Sequence, residues 1–322
     1  MNEASVLKKL GDIGLVPVTV LDTAEHAVPL MEALQKGGVD TAEITLRTDC
    51  ALEGISRMKK QRPDFLVGAG TVLNTEQAEK AVKAGADYIV SPGFNAELVS
   101  WCGQKHVPVI PGCVTATEVQ AAVNAGIKMI KFFPAEISGG ARACANLAAP
   151  FSQVKFIPTG GISLDHLSDY VGCGCVGAIG GGWLCGSSDI KSENWQGITQ
   201  TVQESVKKLL GFEVVHVGIN TGSKEEGRRI SYALSGIFGF PVREGELSNF
   251  VGTGFEVNNF MGLGAKGHIA IDTNRVSWAE YHLGRMGVKF REDSRVTANG
   301  KTMALYLQEE FGGFALHLRQ RQ

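Results

Sequence analysis

At 322 residues with 44% hydrophobic content, the chain is long enough for one large or two medium domains with sizeable cores. The formal net charge is −2 and evenly spread: residues 1–210 carry 18 basic and 21 acidic side chains, and residues 211–322 carry 13 and 12. These numbers exclude nucleic acid and membrane as expected partners, because no basic block and no run of ~20 apolar residues is present. The start, Met1-Asn2-Glu3-Ala4-Ser5, lacks the basic and apolar regions of a signal peptide. Seven cysteines lie between Cys50 and Cys185, and Cys173-Gly174-Cys175 is too close-set for a zinc knuckle. Buried free thiols in a reducing, cytoplasmic compartment are the expectation.

To about residue 210 the chain alternates short β-branched runs with helical stretches. Strands are expected at Leu15–Val20, Thr41–Leu46, Phe65–Ala69, Tyr88–Ser91, Pro108–Ile110, Met129–Phe133, Val154–Pro158 and Val176–Gly180. Helix starts are expected at Asp22 with Glu25, Asn74 with Gln77 and Thr115 with Glu118, each pair spaced to satisfy orphan amides reciprocally. A cap, a helix, Ala-Gly and a strand recur at 74–88 and 116–129. Eight such βα units predict an α/β domain of the (β/α)8 TIM barrel type, with its chemistry at the carboxyl ends of the strands. A doubly wound open sheet is the structural alternative.

Lys131 is the residue that most demands explanation, because its neighbours Met129, Ile130, Phe132, Phe133 and Pro134 are apolar. Desolvation disfavours an ammonium, and a neutral amine attacks a ketone to form a Schiff base. A lysine that merely packs its stem and snorkels out is the commoner arrangement for an isolated case. Three further segments favour chemistry. Glu43, Thr45 and Arg47 alternate along one face of the second strand. Val67-Gly68-Ala69-Gly70-Thr71 follows on the third. Gly160-Gly161 and Gly180-Gly181-Gly182 end the last two strands, where glycine lets backbone amides approach a phosphate, and a helix starting at Ser163 would point its positive end inward. Taken singly, Glu43 is equally an ion-pair partner of Arg47, and Thr71 equally a helix cap.

With these positions in place, residues 1–210 resemble the 2-keto-3-deoxy-6-phosphogluconate (KDPG) and 4-hydroxy-2-oxoglutarate (KHG) aldolases. The resemblance runs through Glu25–Pro29, Glu43–Thr48, Val67–Val72, Ser91-Pro92-Gly93, Ile110–Gly112, Lys131–Glu136, Pro150–Val154 and Pro158–Ser163. It implies a class I aldolase in which Lys131 forms the Schiff base and Glu43 shuttles protons through a water. Arg47 and Thr71 would hold the pyruvate carboxylate. Phe133, Thr159 and Pro92 would line the pocket, and amides of Gly160, Gly161, Gly181 and Gly182 would face the distal phosphate. The family is a homotrimer acting on a small 2-oxo acid, with no cofactor for the aldol step. Relatives carry serine where this chain has Gly182, which predicts weaker phosphate binding and keeps unphosphorylated 4-hydroxy-2-oxoglutarate and oxaloacetate open as substrates. A phosphate-binding barrel isomerase or synthase explains the glycines but leaves Lys131 without a role.

After Leu210-Gly211 the texture changes: four arginines precede this point and nine follow it. His216-Val217-Gly218-Ile219-Asn220 recurs as His268-Ile269-Ala270-Ile271-Asp272, an offset of 52, each followed by a helical stretch (Lys224–Phe238, Arg275–Met286). Later strands are expected at Thr253–Asn258, Met303–Gln308 and Phe314–Leu318. Residues 211–322 thus read as a smaller α+β domain of two paired βαβββ modules, which resembles the vicinal-oxygen-chelate fold of glyoxalases. That resemblance implies metal ligands at His216, Glu256, His268 and His317, the last where glutamate is commoner, and a possible divalent ion. The alternative is a structural or regulatory domain whose histidines face a half-polar sheet.

Overall fold

The computed structural model describes residues 2–321 and divides into two compact units that meet in sequence between Leu209 and Leu210. In the first unit the strands are β1 (Leu15–Thr19), β2 (Thr41–Thr45), β3 (Leu66–Gly70), β4 (Tyr88–Val90), β5 (Val109–Ile110), β6 (Gly112–Cys113), β7 (Met129–Phe132), β8 (Lys155–Pro158) and β9 (Ile179–Gly181). Every residue of β2, β3, β4 and β7 is buried, as a parallel sheet covered on both faces requires.

All pairings in this unit are parallel, with orders β5-β4-β3-β2-β1-β9 and β6-β7-β8. The result is an α/β fold with a curled parallel sheet whose longest run is six strands. The expected fifth strand, Pro108–Ile110, stops before Pro111, which has no N–H to give to a ladder, and an unexpected two-residue strand follows it. Val109–Ile110 pairs with β4, whereas Gly112–Cys113 pairs with β7. Bridges at Phe156↔Val176 and Thr159↔Gly180 link β8 to the segment that becomes β9.

The connecting helices are amphipathic; the first, Glu3–Ile13, buries Val6, Leu10 and Ile13. Thr115 and Glu118 form the full capping box. Asn74 accepts from the Gln77 amide, but the Gln77 side chain returns to Leu73 N rather than to the cap residue. Two expectations fail. The turn at residues 24–26 is capped by Thr23, not Asp22, because the Thr23 hydroxyl accepts from Glu25 N. The helix expected at Ser163 begins only at Leu167 and spans five residues, so no substantial dipole points from it.

The second unit has β10 (Glu213–Ile219), a helix at Lys224–Phe238, β11 (Val242–Arg243), β12 (Ser248–Val251) and β13 (Phe255–Asn258). The pattern then repeats as β14 (Gly267–Thr273), a helix at Val276–Arg285, β15 (Phe290–Ala298), β16 (Lys301–Phe311) and β17 (Phe314–Gln320). One eight-stranded sheet results, in the order β11-β12-β13-β10-β14-β17-β16-β15. The equivalent strands β10 and β14 pair antiparallel at its centre, β10 runs parallel to β13, and β14 parallel to β17. Both modules are therefore βαβββ. Its core includes Trp278, Val251, Val257, Ala270, Leu305 and Leu318, each no more than 1% exposed.

Candidate active site

Lys131 leaves β7 inside the first unit with its side chain 8% exposed. Its Nζ lies 2.9 Å from Oε1 of Glu43, whose side chain is 4% exposed, and 5.2 Å from the centre of the Phe133 ring. A lysine held this way is not a snorkelling one. Beside Glu43 the next strand is glycine-rich: β2 and β3 pair Glu43 with Gly68 and Thr45 with Gly70. A Cβ at Gly70 would stand 2.3 Å from Glu43 Oε1, so glycine there is what leaves the carboxylate room.

Around this pair lies a cavity of about 210 Å³, lined by Val18, Thr19, Val20, Glu43, Thr45, Arg47, Thr71, Lys131, Phe133, Thr159, Gly160, Gly161 and Gly182. Arg47 is exposed at the end of the segment after β2, and its Nε donates to Thr71 Oγ1 at 3.3 Å. Thr71 has φ +58°, a left-handed conformation rare for a threonine, while the helix after it is capped by Asn74. Its role as a helix cap is thereby removed, and strain is placed at the cavity wall. Thr159 is buried, and a Cβ at Gly180 would meet its hydroxyl at 2.3 Å.

Two expected residues stand back from the cavity. Pro92 is not among its lining residues; its carbonyl packs so closely on Gly112 that a Cβ there would lie 2.1 Å away. Gly181 is likewise absent from the lining, and its Cα faces the Trp183 ring. Val18, Thr19 and Val20 were not singled out in the sequence, although the end of a first strand is where a cavity wall belongs. Thr45, expected from its alternation with Glu43 and Arg47, lines the cavity with them.

A buried amine against a carboxylate, with a guanidinium and two glycine turns on the same cavity, defines an aldolase of the covalent, lysine-dependent class. The model of the KDPG and KHG aldolase family matches residues 6–201, and the chain belongs to that family; it is an aldolase, a lyase. A 2-dehydro-3-deoxy-phosphogluconate aldolase of Treponema pallidum is 41% identical over 203 residues, 63% of this chain and 97% of its own. The KHG/KDPG aldolase of Escherichia coli is 42% identical over 193 residues, 60% and 91% respectively. Among solved structures, the KDPG aldolase of Legionella pneumophila, with pyruvate captured as a covalent carbinolamine intermediate, has a TM-score of 0.59 at 36% identity and covers 61% of this chain and 95% of its own. The enzyme of Zymomonas mobilis with 3-phosphoglycerate gives a TM-score of 0.56 at 36% identity, covering 62% and 93%.

The second unit holds its own polar cluster. The structure brings the four predicted residues close: Glu256 Oε2 lies 3.1 Å from His216 Nε2 and 3.3 Å from His268 Nε2, and those two nitrogens are 3.2 Å apart. The three histidines offer ring nitrogens within 4.8 Å of one another. Burial alone would raise the Glu256 carboxyl, but hydrogen bonds from His216, His268 and Ser248 outweigh it and hold the group well below the usual carboxylate range. His317 is pushed down to about 3, by burial first and then by His268 and His216. Its Nε2 is buried without a hydrogen-bond partner, and its ring stacks on Tyr306. This orphaned nitrogen, aimed among donors suited to a divalent ion, fits a metal. Arg319 supplies a counter-feature, since its Nη1 lies 3.3 Å from His216 Nδ1 while its Nε donates to Asp272. A guanidinium can only donate, so this contact leaves the His216 proton on Nε2.

Proposed function

We propose that the chain reversibly cleaves 2-keto-3-deoxy-6-phosphogluconate to pyruvate and glyceraldehyde 3-phosphate through a Schiff base on Lys131. The observation that carries this reading is the buried Lys131–Glu43 contact on a cavity shared with Arg47 and the glycine turns. The neutral amine attacks the C2 ketone, giving a carbinolamine that loses water to an iminium. Glu43, through a water, moves the protons of those steps and takes the proton from the C4 hydroxyl. As the C3–C4 bond breaks, its electron pair passes into the iminium to give an enamine, and the aldehyde leaves. Protonation of the enamine at C3 and hydrolysis by water release pyruvate and restore the amine.

Arg47 and Thr71 hold the substrate carboxylate, the guanidinium offering a planar fork. Amides at Gly160 and Gly161, with Gly182 on the same cavity, receive the distal phosphate; that the Zymomonas mobilis enzyme was solved with 3-phosphoglycerate, a phosphorylated acid, supports the reading. Because Gly182 has no hydroxyl, 4-hydroxy-2-oxoglutarate belongs beside the phosphorylated acid as a substrate. We assign the first unit as a single (β/α)8 barrel, with β5 and β6 counted as one strand. We also assign a homotrimeric assembly in a reducing, cytoplasmic setting, which suits seven free thiols. No described helix is long and apolar enough to cross a membrane.

Incubation with pyruvate and borohydride, followed by peptide mass measurement, tests the reading. Irreversible addition at Lys131 is expected, and stoichiometric addition at any other lysine refutes it.

For the second unit we propose a vicinal-oxygen-chelate-like domain in which His216, Glu256, His268 and His317 gather at a divalent-ion site. The convergence of these side chains and the unpartnered His317 Nε2 support it. Such an ion would supply Lewis-acid chemistry, independent of the Schiff-base route.

A further inference from the structure

The segment after Lys131 does more than close a strand. Ala135 N donates to Thr159 O at 2.8 Å, and Glu136 N donates to Gly160 O at 3.0 Å, so Phe133–Glu136 runs against the turn at 159–161. Gly160 and Gly161 have φ of +102° and +79°, a conformation that side chains rarely adopt. A Cβ on Gly160 would meet the Phe133 ring at 3.2 Å, and one on Gly161 would meet Glu136 Cβ at 2.8 Å. The Gly161 backbone therefore rests directly on the Glu136 stem.

The far end of that stem is fixed. Tyr170, fully buried in the short helix Leu167–Val171, donates its hydroxyl to Glu136 Oε1. Burial first, and then Glu136, push the Tyr170 hydroxyl far above its ordinary range, so it stays a donor at every working pH. The other carboxylate oxygen faces His166 Nδ1 at 3.9 Å, and His166 in turn lies 3.4 Å from Ser163 Oγ, two residues past Gly161. Glu136 is not among the residues that line the cavity.

We infer that Tyr170 and Glu136 are positioning residues for the distal phosphate of the substrate: the tyrosine pins the glutamate, and the glutamate stem sets where the Gly160–Gly161 amides point. This rests on the phosphate reading of that turn. Two amides fixed before binding need not be ordered by the ligand, and that advantage vanishes for a substrate without the distal phosphate. The pair should thus govern KM for phosphorylated acids alone.

The test compares the full chain with Tyr170→Phe, Glu136→Ala and Glu136→Gln on the phosphorylated sugar acid and on 4-hydroxy-2-oxoglutarate, with inorganic phosphate as a competitive probe. Phenylalanine keeps the buried ring, and glutamine keeps an oxygen for Tyr170. Expected are a rise of about tenfold in KM for the phosphorylated acid and in the phosphate inhibition constant for Tyr170→Phe and Glu136→Ala. Near-normal values are expected for Glu136→Gln, with kcat and the unphosphorylated KM held within about twofold throughout. Equal changes for both substrates, or none, overturn the inference while leaving the phosphate site standing. If phosphate fails to compete even in the wild type, the phosphate reading falls and takes this inference with it.

Discussion

Lys131 Nζ and Glu43 Oε1 lie 2.9 Å apart although 88 residues separate them, and neither side chain is more than 8% exposed. The two residues come from β2 and β7, strands that belong to different hydrogen-bonded sheets. A buried amine–carboxylate pair of this kind seldom repays its desolvation in stability, which favours a chemical reason for keeping it. Glu43→Gln retains shape and hydrogen-bonding capacity but cannot carry a proton. Turnover should fall by at least ~100-fold, the usual size of a general acid–base contribution. Pyruvate binding and the fold should persist, as judged by quenching titration and circular dichroism. Near-normal turnover would return Glu43 to the role of a partner for nearby cations.

Gly70→Ala probes the same contact from behind. The new Cβ would stand 2.3 Å from Glu43 Oε1 and 2.7 Å from its Cγ, so the carboxylate must swing away. Overpacking of this size costs about 1–3 kcal/mol, which a protein with a large core tolerates. We expect a folded protein in which borohydride trapping at Lys131 slows by about tenfold or more, for want of the proton carrier. Unchanged trapping kinetics would mean that the carboxylate position is not critical.

Gly182→Ser adds the hydroxyl that this position of the glycine turns lacks. A Cβ at this position would have Val18 O as its nearest neighbour at 3.5 Å, an ordinary contact, so serine fits without strain. One hydrogen bond to an anion contributes about 1.5–3 kcal/mol, or roughly 10- to 100-fold in kcat/KM. The gain should appear for the phosphorylated acid and not for 4-hydroxy-2-oxoglutarate. An equal gain for both would place residue 182 away from the phosphate.

Residues whose chemistry clashed with their local surroundings were legible from the sequence. A lysine among Met, Ile and Phe, and a glutamate alternating with threonine on an apolar strand, needed no structure to stand out. Position within the fold was legible as well, because one glycine pair alone reads as a plain turn but two at the ends of neighbouring strands point to a shared site. What escaped depended on partners distant in sequence. Tyr170 meets Glu136 across 34 residues, and neither is unusual where it sits. Strand β12 has the sequence Ser-Asn-Phe-Val, whose polar start hides it; pairing with β11 and β13 makes it a strand. The helix expected at Ser163 is delayed to Leu167, leaving Ser163–His166 as a turn joined by the Ser163–His166 contact. In the second unit the 52-residue offset between His216 and His268 was a true repeat, because equivalent strands pair antiparallel and bring the two rings edge to edge.

The polar cluster of the second unit allows the last prediction. Without an ion, Glu256 is already satisfied by His216, His268 and Ser248, so the carboxylate alone does not demand a metal. His317 does make a demand: a buried ring nitrogen without a partner costs about 1–3 kcal/mol, unless something binds there. Arg319 pulls the other way at His216, because its donor contact keeps the proton on the nitrogen that faces the cluster. A divalent ion should therefore depend most on His317 and His268, and less on His216. Protein grown with zinc, manganese, nickel and iron should retain about one ion per chain by elemental analysis. That ion should be lost from His317→Ala and His268→Ala but only weakened in His216→Ala. Aldol cleavage should survive chelation in every sample, because the Lys131 route uses no metal. If the wild type carries no transition metal under these conditions, the cluster is a hydrogen-bonded part of the sheet core. His317→Phe should then stabilise the unit, since it removes the orphaned nitrogen and keeps the stack on Tyr306.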